Sequence, residues 1–276
     1  MILVTGSTGN VGAEVVRALA ATGTPVRALT RDPARGTPRP GVEYVAGDLN
    51  HPDSLAPALA GASGLFLLSG YPDLARLLDL ARTAGVGRVV LLSGGAAGID
   101  APGNAVTRYM RASEDAVRES GLPWTFLRPS QFMTNTLEWA PQLAAGDVVR
   151  VPFAGVRIAA VDPYDIGAVA AEALVADRYA GRILVPTGPA ALLPADRVRI
   201  LGAVLGRELR AEPVSDDEAR ARMLATTPVE YVDAFLEFYA AGALDESAVL
   251  PTVREVTGVE PRTFERWVAG HASRFR

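Results

Sequence analysis

The chain opens on a short apolar run, Ile2-Leu3-Val4. Thr5-Gly6-Ser7-Thr8-Gly9-Asn10-Val11-Gly12 follows at once, and then apolar residues recur at helical spacing: Val11, Val15, Val16 and Leu19. Three glycines at i, i+3 and i+6, between a strand and a helix, constrain the fold more than any other feature. Gly6 permits a tight turn, Gly9 lets the backbone approach a pyrophosphate, and Gly12 lets the helix pack close to the strand. The helix N-terminus then offers free N–H groups and a partial positive charge to phosphates. The loop from Gly6 through Ser7, Thr8, Gly9, Asn10 and Val11 to Gly12 is therefore expected to hold a dinucleotide; a tight turn without a ligand is the alternative.

The rest of the first half continues the alternation. Strands are expected at Pro25–Leu29, Val42–Val45, Leu65–Leu68, Val89–Leu92 and Trp124–Leu127, with helices over Ser54–Leu59, Leu74–Ala84 and Val106–Ser120. Mostly apolar strands joined by amphipathic helices suit a parallel sheet covered on both faces, and right-handed crossovers make it doubly wound. The third strand carries Glu43 and is expected at an edge. The second half is less regular. Met133–Ala145 reads as a helix, Ile158–Val161 as a strand, and Asp162-Pro163 as the start of a helix through Ala176. Arg182–Val185 could return to the sheet. Helical patterns then cover Asp196–Leu205, Asp216–Ala225, Val229–Ala240 and Thr263–Ala269. The fold class is α/β: a Rossmann-like doubly wound parallel sheet with a small, mainly helical C-terminal lobe. Residues 1–130, completed by about 158–186, form the cofactor domain; 131–157 and 187–276 form a lobe over the substrate.

Composition removes several chemistries. Of 276 residues 49% are hydrophobic, enough for a sizeable core, and the net charge of −4 argues against a nucleic-acid partner held through phosphates. With 0 cysteines and 2 histidines, disulfides, thiolate nucleophiles and a histidine-rich metal site are not expected. All 27 basic residues are Arg. Schiff-base chemistry and any Tyr–Lys pair are thereby absent. No basic leader or long apolar run is visible, so a cytoplasmic protein without a membrane partner is expected, a monomer or homodimer acting on a small-molecule substrate.

The second strand sharpens the choice of cofactor. An NAD site carries an acid near the end of that strand, for the ribose hydroxyls. Here the sequence reads Leu29-Thr30-Arg31-Asp32-Pro33, with Arg31 in that place. A guanidinium suits a 2′-phosphate in charge and geometry, so NADP(H) is expected, although Arg31 could be an ordinary exposed Arg and Asp32 could turn inward. Asp48, after the third strand, is placed to bond the adenine amine or to cap its own loop.

Taken together these segments resemble the NmrA-like group of atypical short-chain dehydrogenases. The resemblance rests on Thr5-Gly6-x-x-Gly9-x-x-Gly12, Arg31, Gly47-Asp48-Leu49, Val89-Val90-Leu91-Leu92-Ser93 and a helix with Glu114. It continues in Ser120-Gly121-Leu122-Pro123-Trp124-Thr125-Phe126-Leu127-Arg128-Pro129, Phe132, Asn135, Val161-Asp162-Pro163-Tyr164-Asp165-Ile166-Gly167 and the tail through Trp267. It implies a Rossmann domain binding NADP(H), with a substrate cleft beneath the lobe. It also implies that Ser69 and Gly70 pass beside the cofactor ribose, and that Ser93 and Pro129 to Phe132 approach the nicotinamide. The family holds quinone and isoflavone-type reductases, and also proteins that sense the cofactor and regulate a partner without turnover.

A reductase needs a hydride donor and a group that stabilises or protonates the developing anion. The ordinary short-chain dehydrogenase uses Tyr-x-x-x-Lys; here Tyr109 is followed at that spacing by Ser113. Tyr109 and Ser93 are the candidate catalytic residues, with Ser69 and Tyr71 as further hydroxyls, while Tyr109 could equally be packing. A missing Lys disfavours the usual alcohol–ketone interconversion and leaves reactions whose product anion needs little help, such as quinone reduction; the expected reaction is hydride transfer from NADPH to a small apolar quinone, carbonyl or imine-like compound. Glu114 and Arg118, four apart on a helix, read as surface support, and Asp162 and Asp165 as helix caps. Phe132, Met133, Trp139 and Tyr231 could line an apolar pocket or belong to the core.

Overall fold

The computed structural model describes residues 1–276, the side chain of Arg35 excepted. The strands are β1 Ile2–Val4, β2 Val26–Thr30, β3 Val42–Ala46, β4 Gly64–Leu68, β5 Val89–Leu92, β6 Trp124–Leu127, β7 Val148–Val151, β8 Arg182–Leu184 and β9 Arg210–Pro213. The helices are α1 Gly12–Ala21, α2 Ala56–Leu59, α3 Leu74–Thr83, α4 Ala105–Glu119, α5 Ala140–Ala145 and α6 Pro163–Val175. Beyond them lie α7 Pro194–Leu205, α8 Asp216–Met223, α9 Val229–Tyr239, α10 Thr252–Thr257 and α11 Phe264–His271.

Seven strands form one sheet in the order β3-β2-β1-β4-β5-β6-β8, every neighbouring pair parallel. This is the expected doubly wound sheet, with β3 at the edge and β8 returning after the excursion of residues 131–157. The strand order reverses on either side of β1. In such sheets ligands settle at the carboxyl ends of the strands around that switch.

Both faces of the sheet are covered, which is why its strands are nearly all apolar. On one face α1 and α6 pack through Val15, Val16, Leu19, Ile166, Val169 and Ala170. Gly167 lets these helices meet; a Cβ there would stand 2.6 Å from that of Glu14. On the other face Leu77 and Leu78 of α3 and Val117 of α4 cover Leu65, Leu67 and Leu91. A third core, around Trp139, Leu143, Val149, Leu201, Phe264 and Trp267, belongs to the second half of the chain. From that half α10 returns to the sheet's side, with Val253 and Val256 in the first core.

Three local expectations change. Met133–Ala145 is not one helix: Met133–Trp139 is a 3-10 run and α5 begins only at Ala140. Pro141 lacks an N–H and cannot extend a preceding helix, but it sits comfortably in the first turn of a new one. Ile158–Val161 is not a strand. It makes single bridges, Val161 with Phe132 and Ile158 with Leu192, because its flanks touch different segments. The second half is mainly helical as expected, but it also holds two strands not expected from the sequence, β7 and β9, which pair in parallel as a second sheet. The alternation Val149-Arg150-Val151, two buried valines about a half-buried arginine, is the period-two signal that marks β7.

Candidate active site

The loop after β1 is built so that its backbone faces a crevice. Gly6 takes a φ of +60°, and its N–H partner loop closes with Gly9 N–H donating to Gly6 O at 2.9 Å. A Cβ on Gly12 would stand 2.1 Å from Gly6 O, so no other residue fits there. Ser7 lies behind the loop, its hydroxyl donating to Leu29 O at 2.7 Å, and thereby ties the loop to β2. The N-terminus of α1 has no side-chain cap. Among the described residues, the N–H groups of Asn10, Val11 and Gly12 donate to no backbone carbonyl. A crevice of about 500 Å³ opens in front of them, lined by Gly6, Thr8, Gly9, Asn10, Val11 and Gly12 and by the strand ends that carry Arg31 and Asp48. Unpaired amides at a positive helix terminus are what a pyrophosphate requires, and the glycine cradle fits one.

At the end of β2, Arg31 is exposed on the crevice wall and, among the described residues, makes neither an ion pair nor a hydrogen bond. Asp32 caps the next turn by accepting from Ala34 N–H at 3.1 Å, so its carboxylate is engaged locally. Asp48 accepts from the backbone and side-chain amides of Asn50, both at 3.0 Å. The Asn50 backbone bond is the largest influence that holds its carboxyl below the usual range, and His51 and Arg31 add to it. Asp48 thus caps its loop while its residue lines the crevice.

A second cavity, of about 710 Å³, meets the crevice at Phe132, which lines both. Its walls come from five stretches: Ser93 to Ala96 after β5, Val106 with Met110 on α4, Pro129 to Glu138, Pro152 with Phe153, and Met223 to Glu246. The last stretch brings in Phe235, Phe238, Tyr239 and Leu244. Among the described residues that line it there is no Arg or His. Phe153 is held at a φ of +50°, an uncommon conformation for an aromatic residue, with its ring 5.4 Å from that of Tyr239.

The family model described as NAD(P)H-binding matches residues 6–176. Over its whole length the chain is 43% identical to a (4-alkanoyl-5-oxo-2,5-dihydrofuran-3-yl)methyl phosphate reductase of Streptomyces griseus, covering 99% of it. It is 36% identical to an NAD(P)H azoreductase of Xenophilus azovorans, covering 100% of this chain and 99% of that one. Among solved structures it superposes on the Citrobacter sp. triphenylmethane reductase complexed with NADP(H). That match has a TM-score of 0.80 at 22% identity and covers 99% of this chain and 100% of that one. The NADPH-dependent quinone oxidoreductase of Escherichia coli matches with the same score, identity and coverage. The chain belongs to the NAD(P)H-binding family. Reductases at 43% and 36% identity over the full length make it an NAD(P)H-dependent reductase of the NmrA-like, atypical short-chain type.

In this reductase the candidate catalytic residues are separated. Tyr109 lines neither hollow. Its ring packs edge-on to Tyr231 at 6.3 Å and lies under Gly70, in the small core between α4 and α9. Burial, with Tyr231 beside it, raises its pKa above the ordinary phenol value. At the position of the missing Lys, Ser113 donates to Tyr109 O at 2.7 Å and accepts from Gly70 N–H at 3.0 Å. Gly70 and Ser69 leave β4 behind the crevice wall formed by Leu68 and Tyr71. Ser93 does line the cavity, but its hydroxyl donates to Glu114 Oε1 at 2.8 Å. Glu114 is no surface support: it is 1% exposed and takes two bonds from Arg128, at 2.8 and 2.7 Å, and one from Arg118 at 3.0 Å. Burial pushes its carboxyl up, yet the bonds from Arg128 and Ser93 and the two guanidinium charges outweigh burial and hold it below the usual range. The i,i+4 spacing hid this, because Arg128 comes from the end of β6.

Of the four apolar candidates only Phe132 reaches the cavity; Met133 and Trp139 serve the lobe's core and Tyr231 packs on Tyr109. The reductase also carries a polar group that sequence reasoning missed. Tyr239 Oη donates to Glu246 Oε2 at 2.9 Å, and Arg197 Nη1 donates to Gln131 Oε1 at 3.2 Å. Glu138 lines the cavity together with Gln131, Tyr239 and Glu246, while Arg197 stands behind that wall. Burial raises the pKa values of Glu246 and Tyr239, with the Arg197 charge opposing it in both cases. These residues lie up to about a hundred positions apart, and no local pattern marks them.

Proposed function

We propose that the protein is an NADPH-dependent reductase of a small, flat, apolar acceptor, a quinone, carbonyl or imine-like compound, working without a Tyr–Lys pair. The single observation that carries this reading is the meeting of the glycine-walled crevice and the aromatic cavity at Phe132, beside the carboxyl end of β5. A cavity of about 710 Å³ has the size of a small-molecule site, and its lining is mostly apolar with few polar groups. Its walls offer no guanidinium among the described residues, so a phosphate ester of the kind named for the Streptomyces relative would find no counter-charge there. An uncharged acceptor suits it better.

Bound NADPH supplies the hydride. The chain holds the pyrophosphate on the amides of Asn10, Val11 and Gly12, and Arg31 stands free to pair with a 2′-phosphate, which favours NADPH over NADH. Phe132, Pro129 and Ser93 wall the junction where the reacting ring and acceptor would meet. Glu114, through Ser93 and Arg128, fixes the end of β5 against the end of β6. The aromatic walls from α9 exclude water from the acceptor.

The test is direct. Purified protein with NADPH is given a panel of quinones, aldehydes and cyclic imines while loss of reduced-cofactor absorbance is followed. Turnover that disappears in Gly9→Asp, whose carboxylate would stand against the pyrophosphate, supports the enzyme. Tight NADPH binding with no turnover across the panel would instead make the chain a cofactor-sensing regulator.

A further inference from the structure

Reducing a C=O or C=N bond leaves an electron pair on oxygen or nitrogen, and a positioned acid speeds its capture of a proton. Tyr109 is outside the cavity and Ser93 is committed to Glu114. The titratable side chains that do line the cavity, among the described residues, are Glu138, Tyr239 and Glu246.

Glu246 is the best placed of the three. Its Oε2 is occupied by the Tyr239 hydroxyl at 2.9 Å, which leaves Oε1 for a proton. That oxygen lies against the turn leaving β5: a Cβ built on Gly95 would stand 3.9 Å from it. Gly95 has no side chain to come between them. The same turn carries Ser93 and Gly94, at the end of the cavity nearest the crevice. The backbone around Glu246 is pinned, since Ala159 N–H donates to Glu246 O at 2.8 Å. Glu138 is exposed, and it also borders a side chamber of about 60 Å³ that touches Arg197 and Trp139.

Resting on the reductase reading above, we propose that Glu246 is the proton donor of the reaction and that Tyr239 is its positioning residue. The hydride from NADPH adds to carbon of the C=O or C=N bond, and NADPH becomes NADP⁺. The Glu246 Oε1–H bond breaks as the new O–H or N–H bond forms on the acceptor. The carboxylate so produced is held by the Tyr239 hydroxyl and regains its proton from water at the open mouth of the cavity.

The surroundings agree with an acid that keeps its proton. Burial raises the Glu246 pKa above the ordinary glutamate value. The Tyr239 hydroxyl from α9, the Gln131 amide and the Arg197 charge from α7 lower it, and Asp245 next in sequence raises it. Glu138 faces the same space from the 3-10 run.

Glu246→Gln keeps the shape and removes the acid. It should lower kcat by about 10²–10³-fold, the usual contribution of general acid catalysis, while NADPH affinity and circular dichroism stay as in the wild type. Wild-type kcat/KM should fall on the alkaline side, where Glu246 loses its proton, and the variant should lack that limb. Glu246→Asp should restore part of the rate with the limb present. Tyr239→Phe removes a bond that favours the carboxylate, so its limb should move to higher pH. Independently of turnover, carbon-13 NMR of labelled glutamate should show a carboxyl signal that is missing from Glu246→Gln, titrates above the ordinary glutamate range and moves up in Tyr239→Phe. Full activity with an unchanged pH profile in Glu246→Gln, or a Glu246 signal titrating like free glutamate at about 4.3, overturns the assignment. Absence of turnover in the wild type would instead strike the reductase reading, and the NMR titration would still decide the state of Glu246.

Discussion

The crevice and the cavity share one wall residue, Phe132, and are made by opposite means. The crevice is drawn largely from one loop, residues 6–12, and two strand ends. It presents unpaired backbone amides, and its shape is dictated by glycines whose neighbours leave no room for a Cβ. The cavity is assembled from five stretches spread over residues 93–246, and its character lies mostly in side chains. The pyrophosphate is common to the dinucleotide coenzymes, and backbone recognition suits it. An acceptor differs from enzyme to enzyme, and side chains on irregular segments can change without disturbing the sheet.

If that contrast is right, a single methyl group should do more harm in the crevice than in the cavity. Gly12→Ala places a Cβ 2.1 Å from Gly6 O and 2.6 Å from Gly6 C, both backbone atoms. The loop has to open, and NADPH affinity should fall by at least about 3 kcal/mol, roughly 100-fold, measurable by calorimetry. Binding within a few-fold of wild type would break the comparison.

Next in size is the buried ion pair beneath the junction. Glu114→Gln leaves Arg128 without its carboxylate partner and should cost about 3 kcal/mol in denaturant unfolding. The pH dependence has a definite sign. The folded pKa of Glu114 lies below its unfolded value, so its contribution is present above the ordinary carboxylate range and is lost as pH falls through the folded pKa. The gap between wild type and variant should therefore narrow in acid.

Arg31→Ala tests the crevice for charge rather than shape. NADPH should weaken by about 1.5–3 kcal/mol and NADH should change little, since only the former has the 2′-phosphate. Equal losses for both would mean that Arg31 does not read that group.

The smallest effect lies outside both regions, where α6 meets the chain before α11. Asp165 on α6 accepts from Arg262 N–H at 2.7 Å, and Arg262 stacks on Tyr164 with its guanidinium carbon 3.1 Å from the ring centroid. Burial raises the Asp165 pKa to about 6, against the Arg262 hydrogen bond, and nearby Asp162 adds to the rise. Here the folded form holds the proton more tightly than the unfolded chain, so stability declines as pH rises from about 4 to about 6. Asp165→Asn keeps an acceptor for Arg262 and removes that penalty. It should be more stable than wild type by about 1 kcal/mol at pH 8 and lose this advantage near pH 4, read from thermal unfolding.

Local sequence carried the sheet well. The expectations for Ile2–Val4, Val89–Leu92 and Trp124–Leu127 coincide with β1, β5 and β6, because a strand buried on both faces announces itself as a short apolar run between turns. Its covering helices were legible for the same reason. The crevice was legible too, since strand, glycines, helix and Arg31 are close neighbours along the chain. In the second half the signals thin out. Pro141 divides an apparently continuous helix, β7 and β9 pair across some sixty residues, and Ile158–Val161 has the composition of a strand without a lasting partner.

The sequence by itself determined the class of fold, the glycine loop that walls the crevice and the absence of any lysine chemistry, because each depends on residues that act through their immediate neighbours or on a residue type that never occurs. Only the tertiary structure decided that Glu114 is buried between Arg128 and Ser93, that Tyr109 faces away from the cavity, and that Tyr239 and Glu246 meet near the end of β5. Those outcomes depend on which distant side chains share a low-dielectric space, and burial, pairing and proton affinity are properties of that space rather than of any one stretch of chain.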